Sequence, residues 1–410
     1  MMLSRFLGAV IKNGNLCLID NKGLSQSFGD GSGVQVTIRI HDKTTQLRLL
    51  FNPQLSVGEA YMKGTLTLDN GTLYDFLSLV TNNLKYLENH PLYKITGWLS
   101  RLFRRLQQHN PIGKAQKNVA HHYDLSDDLY DLFLDEDRQY SCAYFDKETL
   151  SLEEAQISKK RHIAAKLLLN RHGLKILDIG SGWGGMGLYL AQISGADVTG
   201  VTLSKEQHKV SLERANNANL SSQAVFQLKD YREQTGTFDR IVSVGMLEHV
   251  GAGHYKEYFN KVKELLTDDG IALIHSIGRI DPPGTTNSWL RKYIFPGGYA
   301  PAMSEVISSI EKTGLWITDI EVLRLHYAET LLKWRERFLS RRKEAQMLYD
   351  EEFCRMWEFY LIAAEIGFRQ NGQMVFQIQV AKQQEAVPLT REYIAEWEKG
   401  IVAEESQAAQ

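Results

Sequence analysis

Lys175-Ile176-Leu177-Asp178-Ile179-Gly180-Ser181-Gly182-Trp183-Gly184-Gly185 decides how this chain folds. The apolar run at 175–179 predicts a buried strand, the glycines after it let the backbone turn tightly and approach a ligand closely, and a helix opens beyond them. Working outward, further strands are expected at 197–201, 224–228, 238–244 and 271–276, with helices at 205–219 and 254–266 between them. Strands alternating with helices make a doubly wound, mostly parallel α/β sheet. Residues 317–325 and 374–381 read as closing strands, separated by a helical insertion at about 329–368. Such an insertion could cover a large apolar substrate or be a plain structural extension.

The glycine loop fits two patterns. Gly180, Gly182 and Gly185 satisfy the dinucleotide-binding spacing GxGxxG, which calls for an acidic residue at the end of the second strand to hold a ribose diol. That strand runs Val201-Thr202-Leu203-Ser204 without one. Asp178, Gly180, Gly182 and Gly184 instead satisfy a DxGxG pattern that resembles S-adenosylmethionine-dependent methyltransferases. Asp178 then sits where it could hold the donor's amino acid portion through a bridging group or water. A loop used only as a tight turn is the remaining alternative.

The rest of the chain sets bounds. Forty-seven Lys and Arg against 49 Asp and Glu leave a formal charge of -2, so no global nucleic-acid footprint is visible. Cys17, Cys142 and Cys354 lie far apart without CxxC spacing, which argues against a disulfide framework or zinc site and fits a reducing compartment. The apolar stretch 6–11 is too short for a signal-peptide core or a membrane span, so a cytoplasmic location is expected. Residues 1–93 read as a small α+β module, 94–118 as a basic connector, 119–395 as the sheet domain and 396–410 as a tail, disordered after Ala403. In the connector, Lys94, Arg101, Arg104, Arg105, Lys114 and Lys117 occur with no acid between Glu88 and Asp124. Trp98, Leu99, Leu102, Phe103 and Leu106 recur there at helical spacing. The resulting amphipathic helix suits an anionic membrane surface, or packing of its apolar stripe on a neighbouring domain.

Motif order is more specific. His121-His122-Tyr123-Asp124-Leu125, Tyr140-Ser141-Cys142-Ala143-Tyr144-Phe145 and the glycine loop are followed by Thr202-Leu203-Ser204 with Gln207, Gly245-Met246-Leu247-Glu248-His249-Val250, His275-Ser276-Ile277 and Tyr327. In this set and order the chain resembles the cyclopropane-fatty-acid-phospholipid synthases and, over about 119–381, the mycolic acid cyclopropane synthases. Gly58-Glu59-Ala60-Tyr61-Met62 also resembles the longer bacterial enzymes. The resemblance implies a Rossmann-like class I methyltransferase fold with a helical lid. It implies donor contacts at Tyr140, Ser141, Gly180, Gly182, Thr202, Leu203, Gln207 and Tyr231, beside Asp178 and Gly184 of the loop. It also implies bicarbonate as the general base, cradled by Cys142, Glu248, His275, Ile277 and Tyr327, with the amides of Cys142 and Ile277 contributing. The substrate would be a cis-unsaturated acyl chain of a membrane phospholipid, reached by a homodimer associated peripherally with the inner face of the membrane.

Physical logic runs the same way. An alkene is a poor nucleophile and must be held against the sulfonium methyl in a dry pocket. The carbocation formed needs anionic and π-rich neighbours such as Glu248 and Tyr327, and exclusion of water that would quench it. Proton loss from the new methyl to a mild base closes the ring, and His275 with Glu248 can orient an oxyanion for that step. Taken singly, Cys142 reads as a small buried hydrophobe, His275 as a satisfied core histidine and Glu248-His249 as surface polar groups, while Tyr327 alone says little. Adjacent His121 and His122 rarely point at one ion, so no metal is expected. The rivals are a methyltransferase that leaves a methyl or methylene branch or methylates a small amine, and a non-catalytic lipid-binding protein that retains the fold.

Overall fold

The computed structural model describes residues 2–89 and 126–408, without the side chains of 404 and 406–408. The basic connector at 94–118 and the His121-His122 pair lie outside the described residues. The chain divides into two compact units.

The first unit comprises Met1–Gln107, Gly284–Pro296 and Ala328–Gln373. Its sheet joins β1 (Asn15–Ile19), β2 (Ser25–Phe28), β3 (Gln35–Ile40) and β4 (Leu66–Asn70) in the order β2-β1-β3-β4. Alternation decides which face is buried: in β3, Val36, Ile38 and Ile40 point inward while Gln35, Thr37 and Arg39 do not. The insertion expected to belong to the sheet domain folds with this unit instead. Its Glu351–Gln370 helix carries an apolar stripe through Cys354, Trp357, Leu361 and Phe368, and covers that stripe among the helices Pro53–Met62 and Leu73–Asn82. Tyr61 marks the seam: its ring lies 6.2 Å from that of Phe359, and its hydroxyl donates to Glu358 at 3.2 Å.

The second unit comprises Gln108–Pro283, Gly297–Tyr327 and Met374–Gln410. Its seven strands are β5 (Lys175–Ile179), β6 (Asp197–Thr202), β7 (Ala224–Leu228), β8 (Phe238–Val244), β9 (Leu266–Arg279), β10 (Trp316–Leu323) and β11 (Gln373–Ala381). They lie in the order β10-β11-β9-β8-β5-β6-β7. β5 pairs parallel with both β6 and β8, β6 with β7 and β8 with β9, while β10 and β11 run antiparallel. The mostly parallel doubly wound sheet is therefore as expected. From β5 the chain builds β6 and β7 on one side, then β8 and β9 on the other. That reversal opens a crevice at the carboxyl ends of β5 and β8, where such sheets take their ligands. Leu177 and Ile179 of β5 pack into one apolar layer with Ile241, Ile274 and Phe376, and Ile176 into the opposite layer with Val198, Val242 and Leu190.

The tail is a correction to the expected disorder. A helix runs Glu392–Ala408, because its acids find partners on the Leu152–Lys166 helix and its neighbour. Glu398 meets His162 at 2.7 Å, and Glu405 accepts from Arg161 at 2.7 Å and from the Tyr189 hydroxyl at 3.1 Å. Among the described residues no helix is long and apolar enough to cross a membrane.

Candidate active site

The glycine loop owes its shape to positive backbone angles. Gly180 (φ 83°), Gly182 (φ 54°) and Gly184 (φ 84°) occupy the region that side chains disfavour, and Gly184 caps the helix Gly185–Ser194. A Cβ on Gly184 would stand 2.9 Å from both Phe226 Cζ and Ser211 Cβ. The turn therefore packs tightly behind while its front stays open to a cleft of about 1240 Å³, mouth included. Tyr140, Ser141, Asp178, Gly180, Gly182, Thr202, Leu203, Gln207 and Tyr231 all line that cleft, with Met246 and His249 opposite. Of the expected donor contacts, Gly184 alone stays out of its wall, because it faces Phe226 and Ser211.

Local bonds hold these walls. Thr202 Oγ1 donates to Gln207 Oε1 at 3.3 Å, and Asp230 grips Arg232 at 2.7 and 2.9 Å beside Tyr231. Burial raises the Asp178 carboxyl to about 7, and its Oδ2 has no hydrogen-bond partner among the described residues. An orphaned buried oxygen at a cleft wall suits an amine donor from a ligand. The wall at 139–141 is fixed from behind by the Leu152–Lys166 helix, which starts on a capping box between Ser151 and Glu154. Gln156 donates to the carbonyls of Gln139 and Ser141 at 3.1 and 3.0 Å. Lys159, fully buried, donates to Gln139 Oε1 at 2.6 Å and to Ser141 Oγ at 2.8 Å, and burial lowers its ammonium to about 8.

None of the residues expected around a base belongs to the cleft wall, though Cys142 and Glu248 adjoin wall residues along the chain. Ser141 precedes Cys142, and Met246 and His249 flank Glu248. Glu248 and Ile277 meet directly, and His275 lies two residues before Ile277 on the same strand. The exit of β8 is tied to β9 by Gly245 N donating to the His275 carbonyl at 2.9 Å, and Ile277 N donates to Glu248 Oε1 at 2.6 Å. The Ile277 amide, expected to face an oxyanion, is thus engaged in aiming the Glu248 carboxyl. Burial pushes that carboxyl up to about 7, partly offset by the Ile277 amide, and its Oε2 is buried with no partner among the described residues. His275 lies within β9 and not at its end, and burial with the nearby charge of Lys159, Lys166 and His162 holds it well below the usual imidazole value.

The segments that carry Cys142 and Tyr327 are joined to each other by a different route. Tyr144 stacks between His162 (4.2 Å) and His326 (4.8 Å), and Phe145 N donates to His326 Nδ1 at 2.9 Å. Cys142, 1% exposed, directs its Sγ at the Ala143 carbonyl (3.2 Å), and Tyr327 is 7% exposed. Lys159 links the halves electrostatically, since its charge acts on both Cys142 and His275. No group of three or more metal-binding side chains occurs among the described residues. Sequence reasoning missed Lys159, Lys166 and Gln377. The one available signal was a pair of glutamines, Gln377 and Gln379, inside an otherwise apolar strand.

The family description of mycolic acid cyclopropane synthetase matches residues 111–378, and a domain of unknown function matches residues 20–90. The chain is 36% identical over 345 residues to the cyclopropane-fatty-acyl-phospholipid synthase of Escherichia coli strain K12, covering 83% of this chain and 86% of that protein. It is also 36% identical over 338 residues to a tuberculostearic acid methyltransferase of Mycobacterium tuberculosis, covering 79% of this chain and 78% of that one. The crystal structure of mycolic acid cyclopropane synthase CmaA1 complexed with SAH and CTAB superposes with a TM-score of 0.62 at 32% identity, over 66% of this chain and 99% of the other.

Proposed function

We propose, because the chain belongs to the mycolic acid cyclopropane synthetase family and is an S-adenosylmethionine-dependent methyltransferase, that it carries a methylene group from the donor to the cis double bond of a phospholipid acyl chain. The observation that carries this reading is a buried Glu248 carboxyl bonded to Ile277 of β9, the strand that carries His275, with the next residue, His249, in the wall of the cleft. In the reaction the alkene π electrons form a bond to the donor methyl as the carbon–sulfur bond breaks, leaving S-adenosylhomocysteine and a carbocation on the other alkene carbon. The new methyl then gives up a proton, and the freed electron pair closes the ring. The chain's part is to bind the donor along Tyr140, Ser141, Asp178, Gly180, Gly182, Thr202, Leu203, Gln207 and Tyr231, to exclude water, and to keep π-rich and ionisable groups near the cation.

Bicarbonate, when bound, supplies a mild base for the departing proton. The residues present fit such an oxyanion. A Glu248 carboxyl near 7 can hold a proton on its unpartnered Oε2 and donate it in a hydrogen bond, and an uncharged His275 offers one ring N–H. Cys142 and Tyr327 complete the proposed cradle. The wider setting belongs to the same proposal: a homodimer formed partly through the N-terminal module, docked on the inner face of the membrane by the basic connector.

A second reading has an observation in its favour. The equal identity to a tuberculostearic acid methyltransferase supports a branched product from the same carbocation: a hydride shifts from the methylated carbon to the cation, and the methyl then loses a proton to leave a methylene branch. The substrate class is tested by incubating the purified chain with methyl-labelled donor and either unsaturated phosphatidylglycerol vesicles or free oleate. Label in phospholipid alone is expected; label only in the free acid contradicts the phospholipid assignment.

A further inference from the structure

β11 places two primary amides in the core: Gln377 is 0% exposed and Gln379 1%, among Phe376, Ile378 and Val380. Amides so buried destabilise the fold unless their hydrogen bonds are made. Gln379 is satisfied by the Lys166 carbonyl, the Tyr393 hydroxyl and the Thr318 hydroxyl. Gln377 is satisfied differently. Its Oε1 accepts from Lys166 Nζ at 2.8 Å, and its Nε2 lies 3.2 Å from His275 Nδ1.

Elementary donor and acceptor rules then fix a proton. An ammonium only donates, so the Gln377 atom facing Lys166 must be the oxygen, and turning the amide over would set two donors against each other. The atom facing His275 is therefore an NH2, which also only donates, and Nδ1 must present a lone pair. The ring is kept uncharged by burial and by Lys159, Lys166 and His162, all on the Leu152–Lys166 helix. An uncharged ring with Nδ1 accepting carries its proton on Nε2. Lys166 is itself anchored, by an ion pair to Glu321 and by Asp319 at 3.7 Å. Glu321 also receives His162 Nε2 at 2.7 Å, and His162 Nδ1 reaches Glu398 on the terminal helix. The amide is thus locked from the surface inward.

We propose that Gln377, held by Lys166, is a positioning residue that fixes His275 with Nδ1 as acceptor and its proton on Nε2. Its effect on turnover rests on the reading of His275 as part of the base cradle; its effect on the ring does not. The informative variant is Gln377→Glu, nearly the same shape. One carboxylate oxygen still meets Lys166, while the other can only accept, so Nδ1 must gain a proton.

Long-range proton–nitrogen correlation spectra of the full chain, labelled with nitrogen-15 in its histidine rings, read this directly, and a His275→Gln spectrum assigns the signal among the 12 histidines. The wild type is expected to show a lone-pair Nδ1 and a protonated Nε2, and Gln377→Glu a protonated Nδ1. With that change kcat should fall by about 10²-fold at nearly unchanged S-adenosylhomocysteine affinity. A protonated Nδ1 in the wild type overturns the inference even if the variant fails to fold, and so does a variant whose ring is unchanged. Both leave the proposed function standing. A ring that changes while kcat does not removes His275 from the cradle, and the positioning role with it.

Discussion

Replacing Glu248 by Gln separates two consequences of burying a carboxyl. The group's ordinary value is 4.5 and burial raises it to about 7, a shift worth roughly 3 kcal/mol. Because the folded state holds the proton more tightly than the unfolded chain, this contribution is fully present below about pH 4.5. It is lost as pH rises through 7. Glu248→Gln cannot titrate there, and its amide oxygen can still accept from Ile277 N. Every other titrating group is common to both proteins and cancels in the comparison. Urea unfolding of the two proteins at about pH 5 and about pH 8 should therefore show the stability difference moving in the variant's favour by about 2 to 3 kcal/mol at the higher pH. Turnover should fall by at least about 10²-fold, as for loss of a preorganised polar group at a reacting centre. Donor binding should persist, since Glu248 is no part of the cleft wall. A difference that does not change with pH would refute the buried-carboxyl reasoning, and near-normal turnover would show that the cradle lies elsewhere.

Gly184→Ala forces a Cβ against Phe226 and Ser211 at a positive φ, and should cost about 1 to 3 kcal/mol of stability and weaken S-adenosylhomocysteine binding in calorimetry. Unchanged values of both would contradict the loop geometry. Lys166→Met strips the ammonium from between Glu321, Asp319 and Gln377, and should cost about 3 to 5 kcal/mol in urea unfolding. Sedimentation with anionic vesicles should show binding that weakens as salt rises above about 0.15 M, and absence of binding at any salt would remove the membrane-docking role of the connector.

Much of this was legible before any coordinates, for identifiable reasons. β5 and the glycine loop carry their signal locally, in an unbroken apolar run and in residues that alone tolerate positive φ. The expected contacts at Thr202 and Leu203 come from the carboxyl end of β6, the edge where such sheets take their ligands. What stayed hidden depends on long-range pairing. The Glu392–Ala408 helix reads as a charged tail until His162 and Arg161, some 240 residues earlier in sequence, supply its counter-charges. Lys159 and Lys166 carry no local signal, since nothing in their own stretch says that acids and amides from β10, β11 and the 135–141 segment will surround them. The insertion's place in the first unit is hidden because its apolar stripe does not name its partner. The bond from the Ile277 amide to Glu248 is hidden for a similar reason: only the folded chain brings β9 against that carboxyl.

The identity of the product tests the central claim most directly. The chain, unsaturated phospholipid vesicles and a donor carrying a fully deuterated methyl are incubated, and the released fatty acid esters are analysed by gas chromatography and mass spectrometry before and after hydrogenation. A ring predicts a species one methylene heavier than the substrate, resistant to hydrogenation and retaining two of the donor's three deuterons. A product that is reduced by hydrogen, or a saturated methyl branch identified by its fragmentation, would contradict cyclopropanation.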